Sequence, residues 1–109
     1  MNEKFKKLYD KTLNAEDSLD LSSKNIRAEG MRYLSEALKL NSSIKKINLS
    51  ENKIGMKGME YLCEALKHNR SLRKIILIKN KFGAEGMKHL CESLKINMTL
   101  KNVVKKKKL

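Results

Sequence analysis

Apolar residues follow two different spacings in this chain, and the two alternate. One segment has apolar residues at positions i, i+3, i+4 and i+7, which form one face of an amphipathic helix: Met59, Leu62, Cys63 and Leu66. The segment before it has a short pattern typical of a strand: Ile44, Ile47 and Leu49. The spacing therefore predicts a strand followed by a short helix.

The strand and helix together recur with a period of 28 residues. The same step relates several sets of identical residues, among them Gly30, Gly58 and Gly86; Met31, Met59 and Met87; Leu34, Leu62 and Leu90; and Asn41, Asn69 and Asn97. A partial fourth copy begins at Leu100 and does not reach a helix. A strict period of this length indicates stacked repeats, in which each copy buries its apolar face against its neighbours.

Two residue types mark the junctions within each copy. Gly55 and Gly83 stand where the loop turns into the helix, and glycine tolerates the backbone angles that such a turn requires. Asparagine follows each helix at 41, 69 and 97, where we expect it to end the helix in the left-handed conformation.

These residues resemble a known repeat. The pattern LxxLxLxxN, read at Leu72, Ile75, Leu77 and Asn80, resembles the leucine-rich repeat. With its 28-residue period and the segment GMEYLCEALKHN, the chain is similar to the ribonuclease-inhibitor-type subfamily, also found in NOD-like receptors and the Ran GTPase-activating protein. The resemblance implies an α/β fold, a right-handed βα solenoid with parallel strands on the concave side and helices on the convex side.

The same resemblance assigns a role to the asparagine of the motif. It implies that the side-chain amides of Asn52 and Asn80 tie neighbouring turns together. Lys24 holds this position in the first copy. Either Asn25 substitutes through a local bulge, or the first turn is looser than the others.

The repeats cover residues 18–104, as three full copies and a partial fourth, and differ from both ends of the chain. Residues 1–17 have apolar positions at helical spacing and are expected to form an N-terminal capping helix: Phe5, Leu8, Tyr9 and Thr12. Charged residues interrupt any apolar run there, which argues against a signal or targeting helix. Residues 105–109 form a basic tail.

Positive charge accumulates toward the end of the chain. The formal net charge is +13, and it rises from 0 over residues 1–17 to +5 over residues 101–109. The run Lys105–Lys108 could contact phosphates, acidic protein or anionic lipid, or be a solvated tail. We expect a cytoplasmic protein without a membrane span, with the nucleus as the alternative because this run matches a minimal import signal.

Reactive groups are sparse in this sequence. Cys63 and Cys91 are expected to be buried free thiols, because neighbouring helices lie about 8–10 Å apart, beyond the ~7 Å Cα limit for a disulfide. Neither cysteine has the spacing that zinc requires. Recurring glutamates such as Glu64 and Glu92 would be ~10 Å apart, too far for a paired acid–base site. The sequence predicts no enzyme activity, catalytic residue, cofactor or metal.

Three functions are compatible with this pattern. The first is a non-catalytic module that binds another protein through the concave face. The second is a GTPase regulator resembling the Ran GTPase-activating protein, although that family has a longer array and an acidic C-terminal region. The third is an electrostatic binder of nucleic acid, which the scarcity of aromatic residues disfavours.

Alternation along the strands identifies the residues of a candidate site. Side chains between the inward apolar positions point to the concave face. The predicted partner-binding residues are Lys46, Asn48, Lys74, Ile76, Ile78, Val104 and Lys106. Exposed aliphatic residues rimmed by lysines suit an acidic, partly apolar protein. Alternatively, the aliphatic residues pack against a missing repeat, a crossing tail or a second copy of the chain, which would give weak self-association.

Overall fold

The computed structural model describes residues 2–106. Within this range four helices alternate with four strands: α1 Glu3–Asn14, β1 Asp17–Asp20, α2 Arg27–Leu40, β2 Ile44–Asn48, α3 Gly55–His68, β3 Lys74–Ile76, α4 Gly83–Ile96 and β4 Asn102–Val104. Lys107 and Lys108 of the predicted basic tail lie outside the described residues.

The strands form one parallel sheet in the order β1-β2-β3-β4, and each helix packs against the next helix along the chain. Consecutive strands are therefore neighbours, and α2, α3 and α4 each connect two of them. The predicted α/β solenoid is confirmed.

The core lies between the sheet and the row of helices. Its strand side is formed by the inward positions of the motif, all fully buried in the two central copies: Ile44, Ile47, Leu49, Leu72, Ile75 and Leu77. Its helix side contains the repeated methionine and leucine positions, of which Met31, Met59, Leu34 and Leu62 are fully buried. Burying each such side chain contributes about 1.5–3 kcal/mol, so the repeat pattern and the core coincide.

Repeated glycines serve two separate purposes. Gly55 and Gly83 have φ values of 67° and 65°, in the left-handed region that glycine enters without a steric penalty. Gly58 is instead needed for close packing, because a Cβ atom there would lie 2.7 Å from Cγ2 of Ile54 and 3.3 Å from the backbone Cα of Ala28. The glycine thus lets α3 approach α2.

Helix α1 covers the first copy of the repeat. Its Phe5, Leu8 and Thr12 are buried, and the Phe5 ring stacks on Tyr33 of α2 with the ring centroids 5.0 Å apart. Asn2 begins the helix, and its side chain accepts a hydrogen bond from the backbone N–H of Phe5. The predicted helical spacing in residues 1–17 therefore corresponds to a helix packed on the repeats.

The motif asparagines link neighbouring turns, as the resemblance implied. Asn52 donates through Nδ2 to the carbonyl of Leu21, 2.8 Å away in the preceding copy. Asn80 makes the equivalent bond of 2.7 Å to the carbonyl of Leu49. Both side chains are buried, so these bonds satisfy backbone groups that water cannot reach.

Of the two alternatives for the first copy, the substitution by Asn25 is wrong. The side chain of Asn25 is exposed and accepts a hydrogen bond from Nε of Arg27, so it does not substitute for the motif asparagine. Oδ1 of Asn52 accepts a hydrogen bond of 2.9 Å from the backbone N–H of Lys24, and Oδ1 of Asn80 accepts the equivalent bond from Asn52. The first copy therefore keeps this bond and lacks only the amide donor of the motif asparagine.

The asparagines after the helices do not adopt the predicted left-handed conformation. Asn41, Asn69 and Asn97 are extended, with φ between −79° and −70° and ψ between 127° and 133°. Their amides form a second ladder: Asn69 Nδ2 donates to the carbonyls of Leu38 and Asn41 in the preceding copy. The extended backbone is favoured because the chain continues directly toward the next strand.

The prediction that both cysteines are buried holds for Cys63 and is wrong for Cys91. Both are free thiols, but Cys91 is exposed. Cys63 of α3 is covered because α4 packs beside it, whereas in the described residues no helix packs beside α4 on the side away from α3.

Candidate protein-binding surface

The strand pairing aligns most predicted site residues in two rows across the sheet. Lys46 is paired with Lys74, which is paired with Asn102. Asn48 is paired with Ile76, which is paired with Val104. Neighbouring strands lie about 4.8 Å apart, so the side chains within each row are neighbours on one face.

The second row changes from charged to aliphatic along the sheet. It begins at Asp20 of β1, which is paired with Asn48. Hydrogen bonds from the backbone N–H and the hydroxyl of Ser22 to Oδ1 hold the pKa of the Asp20 carboxyl below its usual range. An anion therefore persists at one end of the row, while Ile76 and Val104 make the other end apolar.

A depression of about 330 Å³ lies beside the aliphatic part of this face. We call it the concave depression; it is lined by Ser22, Ser23, Asn48, Ser50, Glu51, Ile76, Ile78 and Lys79. Ile76 and Ile78 are half-buried. The Ser50 hydroxyl is buried and, among the described residues, has no hydrogen-bond partner.

An ion pair stands at the edge of the concave depression. Nζ of Lys79 lies 3.3 Å from Oε1 of Glu51, whose Oε2 accepts a hydrogen bond of 2.8 Å from the Ser23 hydroxyl. Sequence reasoning missed Glu51 and Lys79 because they lie in strand-to-helix loops, outside the strand alternation. Their spacing of 28 residues was the available signal.

The structure does not bring all the predicted residues together. Asn48, Ile76 and Ile78 line the concave depression, and Lys46 and Lys74 lie in the adjacent row. Lys106 lines a different depression of about 490 Å³, whose apolar residues are Phe82 and Met87. The predicted set thus divides into a concave group and a lysine at the end of the array.

The ionisable groups of the helices form small networks of ion pairs. Nε2 of His89 lies 3.4 Å from Oε1 of Glu60, and Lys57 contacts the same carboxylate at 3.0 Å. Over residues 2–106, no group of three or more His, Cys, Asp or Glu side chains is arranged to hold a metal ion. In the same range, no helix has both the length and the hydropathy needed to cross a membrane.

Comparison with protein families identifies the repeat. A family model described as Leucine Rich repeat matches residues 40–63 and 68–91. Residues 40–63 and 68–91 are leucine-rich repeats. The family predicted from LxxLxLxxN and the 28-residue period is therefore confirmed, and the Asn52 and Asn80 ladder belongs to this repeat.

Two solved structures share the leucine-rich repeat fold of this chain. The leiomodin-1 Actin-Binding Site 2 superposes with a TM-score of 0.85 and 18% identity, covering 99% of this chain and 65% of that one. The tropomodulin C-terminal domain from Caenorhabditis elegans gives 0.77 and 17%, covering 91% and 62%. The chain thus spans less than two thirds of either structure. No curated protein matches the chain in sequence.

Proposed function

We propose that this leucine-rich repeat protein is a non-catalytic interaction module whose concave face binds an acidic, partly apolar segment of another protein. The observation that carries the proposal is the concave depression, where Ile76 and Ile78 are the two apolar residues in a lining that is otherwise polar. The proposed site comprises Lys46, Asn48, Lys74, Ile76, Ile78 and Val104, with Lys106 as an outlying contact.

Comparison of equivalent positions supports a binding role for the isoleucines. Ile76 corresponds to Asn48 in the preceding copy and to Asp20 in the first, and Ile78 corresponds to Ser50 and Ser22. The fold therefore accepts polar residues at both positions. Since Ile75 and Leu77 already fill the core beneath them, the aliphatic character of Ile76 and Ile78 has no evident structural purpose.

Charge supports an acidic partner. Lys46 and Lys74 flank the row that contains Ile76, and the chain carries a net charge of +13. A positive surface attracts acidic proteins over distances of about 10 Å at moderate salt and raises the rate of association.

Two other functions are less well supported. A GTPase regulator would need a residue that acts on the nucleotide, and the sequence has no residue that can be matched to one in the Ran GTPase-activating protein. A nucleic-acid binder would need aromatic side chains for base stacking, and the concave depression is lined by none. Stimulated GTP hydrolysis by catalytic amounts of this chain would contradict the non-catalytic proposal.

Actin is the first defined partner to test. The leiomodin structure with a TM-score of 0.85 is named for an actin-binding site. At 18% identity the two proteins share the fold, but the residues that contact actin cannot be transferred to this chain. Actin is therefore proposed here as a candidate partner to test. We place this activity in the cytoplasm, with the nucleus as the alternative.

The experiment replaces the two isoleucines and measures binding to actin and to proteins captured from cell extract. Ile76→Ser combined with Ile78→Thr is expected to retain the fold, because the core positions are untouched, and to weaken binding about tenfold or more through the loss of buried apolar area. Circular dichroism and thermal unfolding report the fold, and titration against the captured partner reports affinity.

A matched control removes two exposed aliphatic side chains elsewhere. Leu40→Ser combined with Ile96→Ser alters helix ends that are already exposed, and it should leave binding unchanged. Unfolding of the Ile76/Ile78 variant would show that these residues belong to the core. A folded variant that keeps every interaction would refute the concave site.

A further inference from the structure

We propose that a groove between α1 and the first repeat is a second docking surface, which binds an acidic peptide segment through one aliphatic side chain. The groove has a volume of about 470 Å³ and lies apart from the concave depression. We call it the lysine-rimmed groove; it is lined by Glu3, Lys4, Lys7, Leu8, Lys11, Leu21, Lys24 and Ile26.

One wall of the groove is a single face of α1. Lys4, Lys7 and Lys11 follow one another at i, i+3 and i+7, and Leu8 lies between them on the same face. At 1.5 Å per residue the three lysines span about 10 Å along the helix. Carboxylates on successive turns of a helix, or on alternate residues of an extended segment, would match this spacing.

The opposite wall carries Lys24, the residue that departs from the repeat pattern. Asn52 and Asn80 are buried at the equivalent positions, whereas Lys24 is exposed. Its backbone is held by the hydrogen bond from its N–H to Oδ1 of Asn52. Nζ of Lys4 donates to the carbonyl of Asn25 at 2.8 Å, which ties α1 to this loop. Both walls are therefore held in place by hydrogen bonds.

The rim has unmatched positive charge. Within residues 2–106, the side chains of Lys7, Lys11 and Lys24 make no ion pair and no hydrogen bond, and Glu3 is the one carboxylate among the lining residues. Asp20 lies outside the groove but within electrostatic range, since Lys24 and Lys11 add to the effect of Ser22 in lowering the pKa of its carboxyl. The groove thus favours a carboxylate that approaches it.

The floor distinguishes a peptide from other anions. Leu8, Leu21 and Ile26 form it and are only 9%, 2% and 2% exposed, so the apolar surface is recessed. A single aliphatic side chain can reach such a floor, whereas a flat membrane surface cannot. Nucleic acid offers no aliphatic group of this kind, and the groove has no aromatic residue for base stacking. The net charge of +13 opposes a second copy of this chain as the occupant.

The test uses a short fluorescein-labelled peptide in which one leucine is flanked by glutamates, with fluorescence anisotropy as the readout. Lys7→Glu combined with Lys11→Glu should weaken binding about tenfold, equivalent to about 1.4 kcal/mol. The control, Lys88→Glu combined with Lys95→Glu, makes the same charge change on exposed lysines of α4 and should weaken binding less than twofold. Peptides with Leu→Ser or with Glu→Gln should each bind more weakly than the parent.

Methyl NMR locates the peptide. Binding should shift the methyl signals of Leu8, Leu21 and Ile26 and leave those of Ile76 and Ile78 unchanged. The reverse pattern would overturn this inference while supporting the concave site. Equal loss of binding in both lysine variants, or no loss in either, would overturn it as well. So would tighter binding of an RNA oligonucleotide or of phosphatidylserine vesicles that Lys7→Glu/Lys11→Glu abolishes.

Discussion

At the residue scale, two equivalent cysteines have different surroundings. Cys63 is 4% exposed, and burial raises the pKa of its thiol to about 11, against smaller opposing effects of a hydrogen bond with Ser93 and the charge of Lys67. Cys91 occupies the same position one copy later and is exposed. The thiolate is the reactive form, so access and ionisation both protect Cys63.

We therefore expect Cys91 to react rapidly with a thiol reagent at neutral pH and Cys63 to react after unfolding. Counting labelled thiols by mass spectrometry, with Cys91→Ser as the control, measures this. Rapid native labelling of the Cys91→Ser variant would contradict the burial of Cys63.

The raised pKa of Cys63 also makes the stability of the protein depend on pH. The neutral thiol stabilises the folded state below the ordinary pKa of 9.0, and this contribution is lost as pH rises toward about 11.

At the element scale, asparagine amides hold consecutive loops together. Asn52 donates to the carbonyls of Leu21 and Leu49, and its Oδ1 accepts from the backbone N–H of Lys24. A side chain that bonds to two copies in this way holds the short strands of those copies in register.

Asn52→Ala should destabilise the protein strongly, because each buried group left unpaired costs about 1–3 kcal/mol. Urea unfolding measures the loss. Asn102→Ala is the control, since that side chain is exposed in β4 and its backbone is not left-handed, and it should change stability by less than about 0.5 kcal/mol. Similar losses in the two variants would show that the amide bridge contributes little.

At the scale of the whole molecule, the two ends of the core differ. Phe5 and Leu8 of α1 cover the first repeat, whereas Leu94, Leu100 and Val103 at the other end are partly exposed. Exposed apolar surface promotes association, and a net charge of +13 opposes it.

We expect a monomer at low salt and weak self-association as salt screens the charge, since the screening length falls from about 30 Å at 0.01 M to about 3 Å at 1 M. Sedimentation velocity over this range measures the change. A dimer at low salt that dissociates at high salt would instead indicate association through ion pairs.

Much of the fold and part of the site could be predicted before the structure. Alternation along β2 and β3 correctly separated the buried Ile47 and Ile75 from Asn48 and Ile76. The concave depression also contains Glu51 and Lys79, which alternation could not predict because their loop residues have positive φ rather than strand geometry. The lysine-rimmed groove depends on where α1 packs, and α1 lies outside the repeat whose period made the rest predictable.

The amino-acid sequence by itself determined the repeat, the order of strands and helices, and which side chains enter the core, because each copy carries the same local spacing and must bury the same face. Tertiary structure decided how equivalent residues differ. Asn69 bridges two copies in an extended conformation because the carbonyls of Leu38 and Asn41 lie beside it. Cys63 is buried and Cys91 exposed because α4 packs beside α3, while among the described residues no further helix packs beside α4. The period specifies the features that all copies share, whereas the neighbours of each copy determine how equivalent residues differ.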